Sequence, residues 1–424
     1  MAVVSKRKGE REPAGSSRDR LLRAIEARFA VSGFSGTRLV DVAEDAELTT
    51  GAFYSYFPGK AAAFHVLYDR FAADFTTELV GANDLEAYCV RWIDCQQARA
   101  GAVRASEEVA REDKAFLDHL SRYRQLWAGA AMPHLPGHLD PATLRLVANL
   151  TVDILDYQSF ARRHEWSDVT PAEIAANLSS LLTSGLYLRS VKGVGPPRRD
   201  SAEPAGPDEP NPLGLMTWKP SAGRADPSSR RGQANRTGIL DAAGQVFSEV
   251  GYNNCSIAMV AQRAGVSPAT AYRYFSDKND IFRCLLSAVK DELYASALIL
   301  LDDEGRMVVE PAVLQYLKVR REYAAVYRVW RELLEPGSEM EETWIWIRRD
   351  FQHRIARIVA FGQRGGLITP HYTPEVVAEL LVAAFDGPSH TRFDLSWDET
   401  LRDRDFAQVL GSIFGMGFVT EPGS

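Results

Sequence analysis

Apolar residues recur at intervals of three and four positions along most of this chain, which is the pattern of amphipathic α-helices. A clear case is the run Leu21, Leu22, Ile25 and Phe29. Later segments repeat the pattern, and several open with proline or threonine, as helices often do. These segments are residues 141–163, 171–188, 343–361 and 374–385. Convincing strand-like alternation is absent from the sequence, and we therefore predict an all-α fold.

The pattern near the N-terminus occurs a second time, 218 positions further along and without a gap. Residues 17–66 and their counterparts share apolar, glycine and aromatic positions. The matching pairs are Phe29 and Phe247, Gly33 and Gly251, Val42 and Val260, Ala43 and Ala261, Ala46 and Ala264, Tyr54 and Tyr272, Tyr56 and Tyr274, Phe57 and Phe275, Lys60 and Lys278, and Phe64 and Phe282. Two such copies in one chain indicate a duplicated unit that reads DNA.

Each copy, which we call a head, has the pattern of three short helices. We expect the first helix to end at Gly33 or Gly251, because glycine readily adopts the left-handed backbone that ends a helix. The second helix should open at a hydroxyl side chain suited to capping, which is Thr37 in the first head and Ser256 in the second.

A tight turn separates the second helix from the third, which is predicted over residues 50–57 and 268–275. Apolar residues at both ends should hold this third helix against the other two: Leu48, Phe57, Val266 and Phe275. Its other positions are small, hydroxyl-bearing or tyrosine, and should face outward. Small residues allow close approach to base edges, while tyrosine and lysine reach phosphate oxygens.

A proline-rich stretch divides the chain into two halves. Residues 192–231 hold eight of the 21 prolines and few apolar residues, so they are interpreted as a linker. The predicted organisation is a basic N-terminal arm (1–16), a first head (17–64), a first helical effector-type domain (65–191), the linker (192–231), a second head (232–282) and a second effector-type domain (283–418).

The net charge of −7 conceals two basic regions. Residues 1–60 hold ten basic against eight acidic side chains, and residues 230–280 hold six against four. Local charge decides phosphate attraction, because salt screens charges beyond about 8 to 10 Å. The apolar content of 46% is ordinary for a globular protein, and neither a membrane span nor a signal peptide is evident. We expect a cytoplasmic protein.

Enzyme signatures are missing from the sequence. There is no phosphate-binding loop, no nucleophile elbow and no dinucleotide fingerprint, and the four cysteines lack zinc-like spacing. His134, His138 and Asp140 are the nearest approach to a metal site, in a loop broken by prolines. We expect neither catalysis nor a metal or cofactor.

The two heads resemble the DNA-binding heads of the TetR family of transcriptional regulators. The residues that carry the resemblance are Val42-Ala43-Glu44-Asp45-Ala46 with Tyr54-Ser55-Tyr56-Phe57-Pro58-Gly59-Lys60, and Val260-Ala261-Gln262-Arg263-Ala264-Gly265-Val266-Ser267 with Tyr272-Arg273-Tyr274-Phe275-Ser276-Asp277-Lys278. The second set is the closer match. The doubled layout is similar to tandem TetR regulators of actinobacteria, including one that controls a mammalian-cell-entry lipid-uptake operon.

The resemblance implies which residues contact a double-stranded DNA operator. The base-facing residues would be Thr49, Thr50, Gly51 and Ser55 in the first head, and Ser267, Pro268, Ala269, Thr270 and Arg273 in the second. The phosphate-facing residues would be Thr37, Arg38, Tyr54, Tyr56 and Lys60, and Ser256, Tyr272, Tyr274 and Lys278. For the tyrosines, packing of the head is the alternative role.

The first head departs from the family pattern at one position. Glu47 stands where the family usually has the glycine of the turn, matched in the second head by Gly265. A left-handed residue other than glycine costs about 1 kcal/mol, and an acidic one repels DNA. We expect weaker or shifted DNA contact by the first head. The basic N-terminal arm offsets this if it enters a minor groove, and a solvated arm without DNA contact is the alternative.

In the family, the helices after the head enclose an effector pocket and form a dimer face. Aromatic residues at helical spacing are candidates for lining such a pocket, although packed core is the commoner role. The candidates are Tyr327, Trp330, Trp344, Phe351 and Phe385 in the second half, and Trp127 and Tyr157 in the first. The expected effector is a small apolar or amphipathic molecule.

Two questions of assembly and function stay open at this stage. The two halves form either an internal pseudo-dimer with two heads or a homodimer with four. The chain is either a ligand-responsive repressor that reads an asymmetric operator, or a ligand-independent DNA-binding co-regulatory or architectural protein.

Overall fold

The computed structural model describes residues 16–164, 166–167, 169–185, 229–298, 308–333, 338–366, 368–389 and 403–415. These residues are helical almost throughout. In chain order the helices are α1 Ser17–Gly36, α2 Leu39–Asp45, α3 Thr50–Tyr56, α4 Lys60–Val80, α5 Leu85–Ala98, α6 Ala100–Glu112, α7 Lys114–Ala131, α8 Pro141–Arg163, α9 Pro171–Ser184, α10 Arg230–Asn254, α11 Ile257–Arg263, α12 Pro268–Tyr274, α13 Lys278–Leu298, α14 Val309–Glu322, α15 Ala324–Glu332, α16 Glu339–Arg364, α17 Pro374–Ser389 and α18 Asp403–Phe414. The all-α prediction is confirmed.

The predicted helices match the observed ones closely, and capping residues explain where the bounds differ. Helix α8 occupies the predicted residues, with Asp140 accepting hydrogen bonds from the backbone of the first turn. Helix α9 stops earlier than predicted because Gly185 turns the chain at a φ of 63°. Helix α16 starts earlier than predicted because Ser338 caps it.

Two predicted segments lie largely outside the described residues: the N-terminal arm apart from Ser16, and the linker as far as residue 228. Among the residues that the structure does describe, no helix is long and apolar enough to cross a membrane.

The first compact unit ends at Ala130 and contains the first head. Helix α1 packs against α6, and the two helices come close together at Gly101. A β-carbon at this position would lie 2.0 Å from the backbone oxygen of Glu26, so only glycine permits this contact. The core of the unit is aromatic, with Phe75 lying 4.8 Å from both Trp92 and Trp127 between ring centroids.

The second compact unit begins at Ala131 and contains helices from both sides of the predicted linker. Helix α8 packs along α17, and α9 packs against α17 and α18. The closest approach is at Gly387, where a β-carbon would lie 2.4 Å from the backbone oxygen of Asp153. Helices that precede and follow the linker in sequence therefore share one core.

Polar contacts also join these helices. The hydroxyl of Tyr157 on α8 donates to the carboxylate of Asp386 on α17 at 2.9 Å. The hydroxyl groups of Ser180 and Tyr372 are 2.9 Å apart. Such side chains fix one register between α8, α9 and the later helices, because a buried hydrogen bond is lost when a helix slides.

Candidate nucleic-acid interface

The third helix of each head begins at a capping hydroxyl. Thr49 accepts a hydrogen bond from the backbone of Ala52 at 3.1 Å, and Ser267 accepts one from Thr270 at the same distance. These caps satisfy backbone donors at the N-terminus of α3 and α12. Both helices are one residue shorter than predicted, because Phe57 and Phe275 have extended backbones.

The residues predicted to face bases lie at the surface of the heads. On α3, Gly51 and Ser55 are exposed and Thr50 is half-buried; on α12, Pro268, Ala269 and Arg273 are exposed and Thr270 is half-buried. Tyr54, Tyr56 and Tyr272 are also largely exposed, with 56, 45 and 48% of their surface accessible. Their exposure argues against the alternative role of core packing, while their contact with DNA stays a prediction.

A buried aromatic residue that the sequence analysis missed anchors α3. Phe53 is fully buried and its ring lies 5.5 Å from that of Phe57. The spacing of four between Phe53 and Phe57 was a signal for one helix face. The equivalent position in the second head is Ala271, so the two heads fill this core site with side chains of very different size. Leu48 and Val266 are only half-buried, and contribute less than predicted.

The turn before the third helix has the same form in both heads. Glu47 has a φ of 54° and Gly265 a φ of 68°, so the expected left-handed glutamate is confirmed. The backbone of Leu48 donates to Ala43 at 2.9 Å, and that of Val266 donates to Ala261 at 3.0 Å. The first head therefore follows the usual path of the chain with a residue that is strained there.

Both lysines predicted to face phosphate have another role in the structure. The ammonium of Lys60 donates to the carbonyl groups of Phe34, Ser35 and Thr37 at 2.6, 3.4 and 3.0 Å. It also lies 4.6 Å from the ring centroid of Phe34. Partial burial lowers the pKa of Lys60, and the nearby carboxylate of Glu108 opposes this shift. All three donors of the ammonium are engaged at the end of α1.

Lys278 repeats this arrangement in the second head. Its ammonium donates to the carbonyl groups of Tyr252, Asn253 and Cys255 at 2.8, 3.4 and 3.3 Å. The ring centroid of Tyr252 lies 4.3 Å away. In the structure the two lysines therefore cap the last turn of the first helix, where cations are favourable, and their contact with phosphate is untested.

The start of the second helix also differs from its prediction in the first head. Thr37 is 4% exposed and donates to the carbonyl oxygen of Gly33 at 2.7 Å, so it neither caps α2 nor reaches phosphate. Arg38 precedes α2 and donates to the carboxylate of Asp41, whose pKa it holds below the ordinary value. The prediction for Ser256 as a cap is confirmed, since it accepts from Met259 at 3.3 Å.

Glycines break the first helix as predicted, although one more turn follows in each head. Gly33 and Gly251 have φ values of 68° and 73°, and helical structure resumes as far as Gly36 and Asn254. Positive φ at these points is accessible to glycine without strain. The extra turn supplies the carbonyl groups that the two lysines bind.

A salt bridge between the first and second helices braces each head. In the first head Arg28 donates to Asp45 at 2.5 and 2.7 Å, and in the second Arg263 donates to Glu249 at the same two distances. The acid and the base have exchanged helices between the heads. The guanidinium groups hold the pKa of Asp45 and Glu249 below their ordinary values.

The geometry of the heads agrees with a comparison against known protein families. Residues 21–67 and 239–285 match the family described as bacterial regulatory proteins, tetR family. Both matches fall on the three-helix heads. Each head of the chain is therefore a DNA-binding domain of the tetR type.

Curated proteins similar to this chain are described as regulators. The HTH-type transcriptional regulator UidR of Escherichia coli is 23% identical over 186 residues, which are 43% of this chain and 92% of UidR. The A-factor receptor protein of Streptomyces griseus is 28% identical over 153 residues, 35% of this chain and 51% of the receptor. Nearly all of UidR therefore corresponds to less than half of this chain.

A solved structure is similar to part of the chain at low identity. The fatty acid degradation regulator FadR from Bacillus halodurans is 19% identical, with a TM-score of 0.36, and the match covers 43% of this chain and 95% of FadR. Together, the family match and the curated relatives identify a DNA-binding transcriptional regulator.

The aromatic residues predicted to line an effector pocket of the TetR type are packed in two separate cores. In the first unit Trp127 is buried, and its indole donates to Thr76 at 2.9 Å. In the second unit Trp330 and Trp344 lie 4.1 Å apart between ring centroids, and Phe385 lies 5.2 Å from Tyr316. The remaining candidates are also held by ring contacts or hydrogen bonds: Tyr157, Tyr327 and Phe351. Their role toward an effector stays a prediction.

Proposed function

We propose that this chain is a transcriptional repressor whose two non-identical heads read the two parts of an asymmetric operator, and which a small apolar or amphipathic effector releases. The observation that carries the proposal is the difference between the exposed faces of α3 and α12. Gly51 and Ser55 occupy the positions that Ala269 and Arg273 occupy in the second head. Side chains that differ in this way cannot read the same bases, so the operator is not expected to be a palindrome.

The contacts with DNA divide into base reading and positioning. Base reading is assigned to the exposed or half-buried residues of the third helices and their caps: Thr49, Thr50, Gly51, Ser55, Ser267, Pro268, Ala269, Thr270 and Arg273. Positioning on phosphates is assigned to the tyrosines Tyr54, Tyr56, Tyr272 and Tyr274, with Arg38 and Ser256 at the start of the second helices. Thr37, Lys60 and Lys278 are withdrawn from this set because their donors are already bonded within the heads.

An internal pseudo-dimer is the proposed assembly. It is supported by the packing of α8 and α9 against α17 and α18, since these helices come from opposite sides of the predicted linker. One chain would then carry the pair of heads that a helix-turn-helix dimer uses, with reading helices about 34 to 36 Å apart on one face of DNA. Sedimentation of the full chain as a monomer supports this assembly, and a stable dimer supports the alternative with four heads.

Movement of α6 is a route by which effector binding reaches the first head. Arg104 on α6 donates to the carbonyl groups of Ala30 and Val31 at 3.0 and 2.9 Å, and Glu108 accepts from the backbone of Ser35 at 2.8 Å. Because these bonds grip the end of α1, a shift of α6 carries the head with it. A coupling energy of about 1 to 3 kcal/mol is enough to change DNA affinity about 5- to 150-fold.

A ligand-independent co-regulatory or architectural DNA protein is the second candidate. The observation that favours it is the packing of the predicted effector residues, of which Trp330 and Phe385 are each 1% exposed. A thermal-shift screen with amphipathic compounds separates the two candidates, because only a protein that binds the compound is stabilised in a dose-dependent way. Control of a lipid-uptake operon, which the doubled layout suggests by resemblance, stays a prediction.

Selection of bound duplexes from a random pool, followed by footprinting, tests the proposed operator. The full chain should enrich a site with two different parts, and a single chain should protect both. A perfect inverted repeat protected by one chain would contradict the proposal, as would the absence of duplex binding at low salt.

A further inference from the structure

A buried arginine in the second unit has a guanidinium group that the described residues leave unbonded. Arg348 on α16 is 4% exposed, and its Nε, Nη1 and Nη2 atoms have no hydrogen-bond partner among the residues that the structure describes. The guanidinium lies 4.4 Å from the ring centroid of Tyr157 and 5.8 Å from that of Trp166. Burial lowers the pKa of Arg348 to about 10, so the group is charged at neutral pH.

Two indole groups near this guanidinium are donors as well. The indole nitrogens of Trp166 and Trp344 are buried and have no acceptor within the described part of the chain. The two rings lie 5.9 Å apart between centroids, so both indoles and the guanidinium belong to one cluster. Guanidinium and indole groups can only donate hydrogen bonds. Such a cluster is complementary to a molecule that brings acceptor oxygens.

Two of the protein's own carboxylates lie near Arg348, but neither is hydrogen-bonded to it. Asp386 accepts hydrogen bonds from the hydroxyl groups of Tyr157 and Tyr316. Asp386 and Glu379 are close enough to favour the charged form of Arg348. A second buried arginine, Arg320, lies 3.6 Å from the ring centroid of Tyr327. Its charge partly offsets the rise in the pKa of Tyr316 that burial causes. Arg348, Arg320 and Glu379 are buried and Asp386 is half-buried. These four groups together carry no excess negative charge that would oppose an anion.

We infer that Arg348 binds the carboxylate of an amphipathic organic acid, and that this acid is the effector of the proposed function. The planar fork of a guanidinium pairs with both oxygens of a carboxylate, which favours this headgroup over an alcohol or an amide. The apolar part of the acid lies against the aromatic cluster of Trp344 and Trp330. The inference rests on the proposed function, since it names the class of its effector.

The cluster around Arg348 is formed by helices from both sides of the predicted linker. Tyr157 belongs to α8, which precedes the predicted linker, whereas Arg348 and Trp344 belong to α16, which follows it. A ligand at Arg348 therefore contacts helices from both halves. Its binding would affect the packing of α8 against α17, because Tyr157 on α8 is also hydrogen-bonded to Asp386 on α17.

Isothermal titration of the full chain with decanoate, decanol and decanamide tests the headgroup, and octanoate, dodecanoate and hexadecanoate test the chain length. We expect at least one of the carboxylates to bind, and to bind more tightly than the alcohol or amide of the same length. Arg348→Met should weaken the preferred carboxylate about 10- to 100-fold, the usual effect of losing a charged hydrogen-bond donor, and remove the preference over the alcohol. Arg349→Met is the matched control, because Arg349 is the exposed neighbour of Arg348 on the same helix.

A second variant and thermal melts by circular dichroism guard against loss of folding. Trp344→Phe keeps an aromatic ring but removes one donor, and should weaken the carboxylate about 2- to 10-fold with little effect on the alcohol. Equal affinity for acid, alcohol and amide, or an unchanged preference in a folded Arg348→Met protein, overturns the inference. Failure of all four carboxylates to bind also overturns it and leaves bridging water as the partner of Arg348. In each case DNA selection by the same protein tests the regulator function separately.

Discussion

The ammonium of Lys278 lies 2.8 Å from the backbone oxygen of Tyr252, and this contact ties the start of α13 to the last turn of α10. The first head has the same link between Lys60 and Phe34, at 2.6 Å. In each head the lysine joins the helix that follows the head to the end of the first helix, since helix ends carry carbonyl groups without helical partners. Its repetition in both copies indicates that the head needs this cation for its structure.

Replacing Lys278 by methionine should therefore lower stability more than it changes the salt dependence of DNA binding. We expect a loss of about 1 to 2 kcal/mol, because the carbonyl groups at the end of α10 lose a charged donor. The slope of log affinity against log salt should stay unchanged, whereas loss of one phosphate contact lowers it by about 0.9. Lys318→Met, at an exposed lysine of α14, is the control. A slope reduced by a full contact in Lys278→Met alone would restore the phosphate role.

Replacing Glu47 by glycine should stabilise the first head. The φ of 54° at Glu47 is costly for any residue with a β-carbon, by about 1 to 2 kcal/mol. The gain is smaller than this, because glycine has more backbone freedom to lose on folding. The reciprocal change, Gly265→Glu, should destabilise the second head. Urea denaturation of both variants measures the effect, and a loss of stability in Glu47→Gly would contradict the strain.

Acidification should weaken the salt-bridge braces of both heads. The pKa of Asp45 and that of Glu249 are lowered by hydrogen bonds from Arg28 and Arg263. A carboxyl group with a lowered folded-state pKa contributes stability that is fully present above its ordinary pKa, here 3.8 or 4.5. This stability is lost as the pH falls through the lowered value. The stability of Asp45→Asn and Glu249→Gln should therefore change less with pH than that of the parent protein, while Asp118→Asn, at an exposed residue of α7, should follow the parent.

Packing of α8 against α17 should be sensitive to the size of residue 387. A β-carbon at Gly387 would lie 2.4 Å from the backbone oxygen of Asp153, so Gly387→Ala forces the helices apart. We expect a loss of about 1 to 3 kcal/mol, which is typical of overpacking. Gly244→Ala is the matched control, because the added β-carbon meets nothing within 4 Å in α10. The control should gain up to about 1 kcal/mol from helix propensity. Thermal melts distinguish the two, and an equal gain in both would refute the close approach.

The sequence was sufficient to predict the helices, the duplication and the exposed faces of the third helices, because these follow from local periodicity and from an ungapped repeat. It placed Ser256 correctly as a cap. It could not show that Lys60 turns inward, since an isolated lysine reads as solvent-facing until the carbonyl groups of the extra turn after Gly33 are located. Thr37 was misplaced for the same reason, because its partner is the oxygen of Gly33.

Contacts between distant parts of the chain were the least predictable. The pairing of Tyr157 with Asp386 joins residues far apart in sequence, and no local pattern marks it. The same holds for Arg348, which reads as one charge among several on an amphipathic helix. Arg348 is buried because α8, α16 and α17 pack into one core, and this packing cannot be deduced from the local sequence.

Arg273 should make the two parts of the operator differ in their tolerance of substitution. It is exposed on α12, and Ser55 occupies the same position on α3. A guanidinium that bonds two acceptors of a guanine discriminates between bases by about 1 to 3 kcal/mol, whereas a serine hydroxyl is less selective. Arg273→Ala should therefore relax the sequence preference at one base pair of one part of the selected site, and Ser55→Ala should have a smaller effect in the other part. Competition binding with single-base variants of the site measures both effects. If Arg273→Ala weakened all variants equally, the arginine would be a phosphate contact, and the proposed asymmetry would have to come from the smaller residues of α3 and α12.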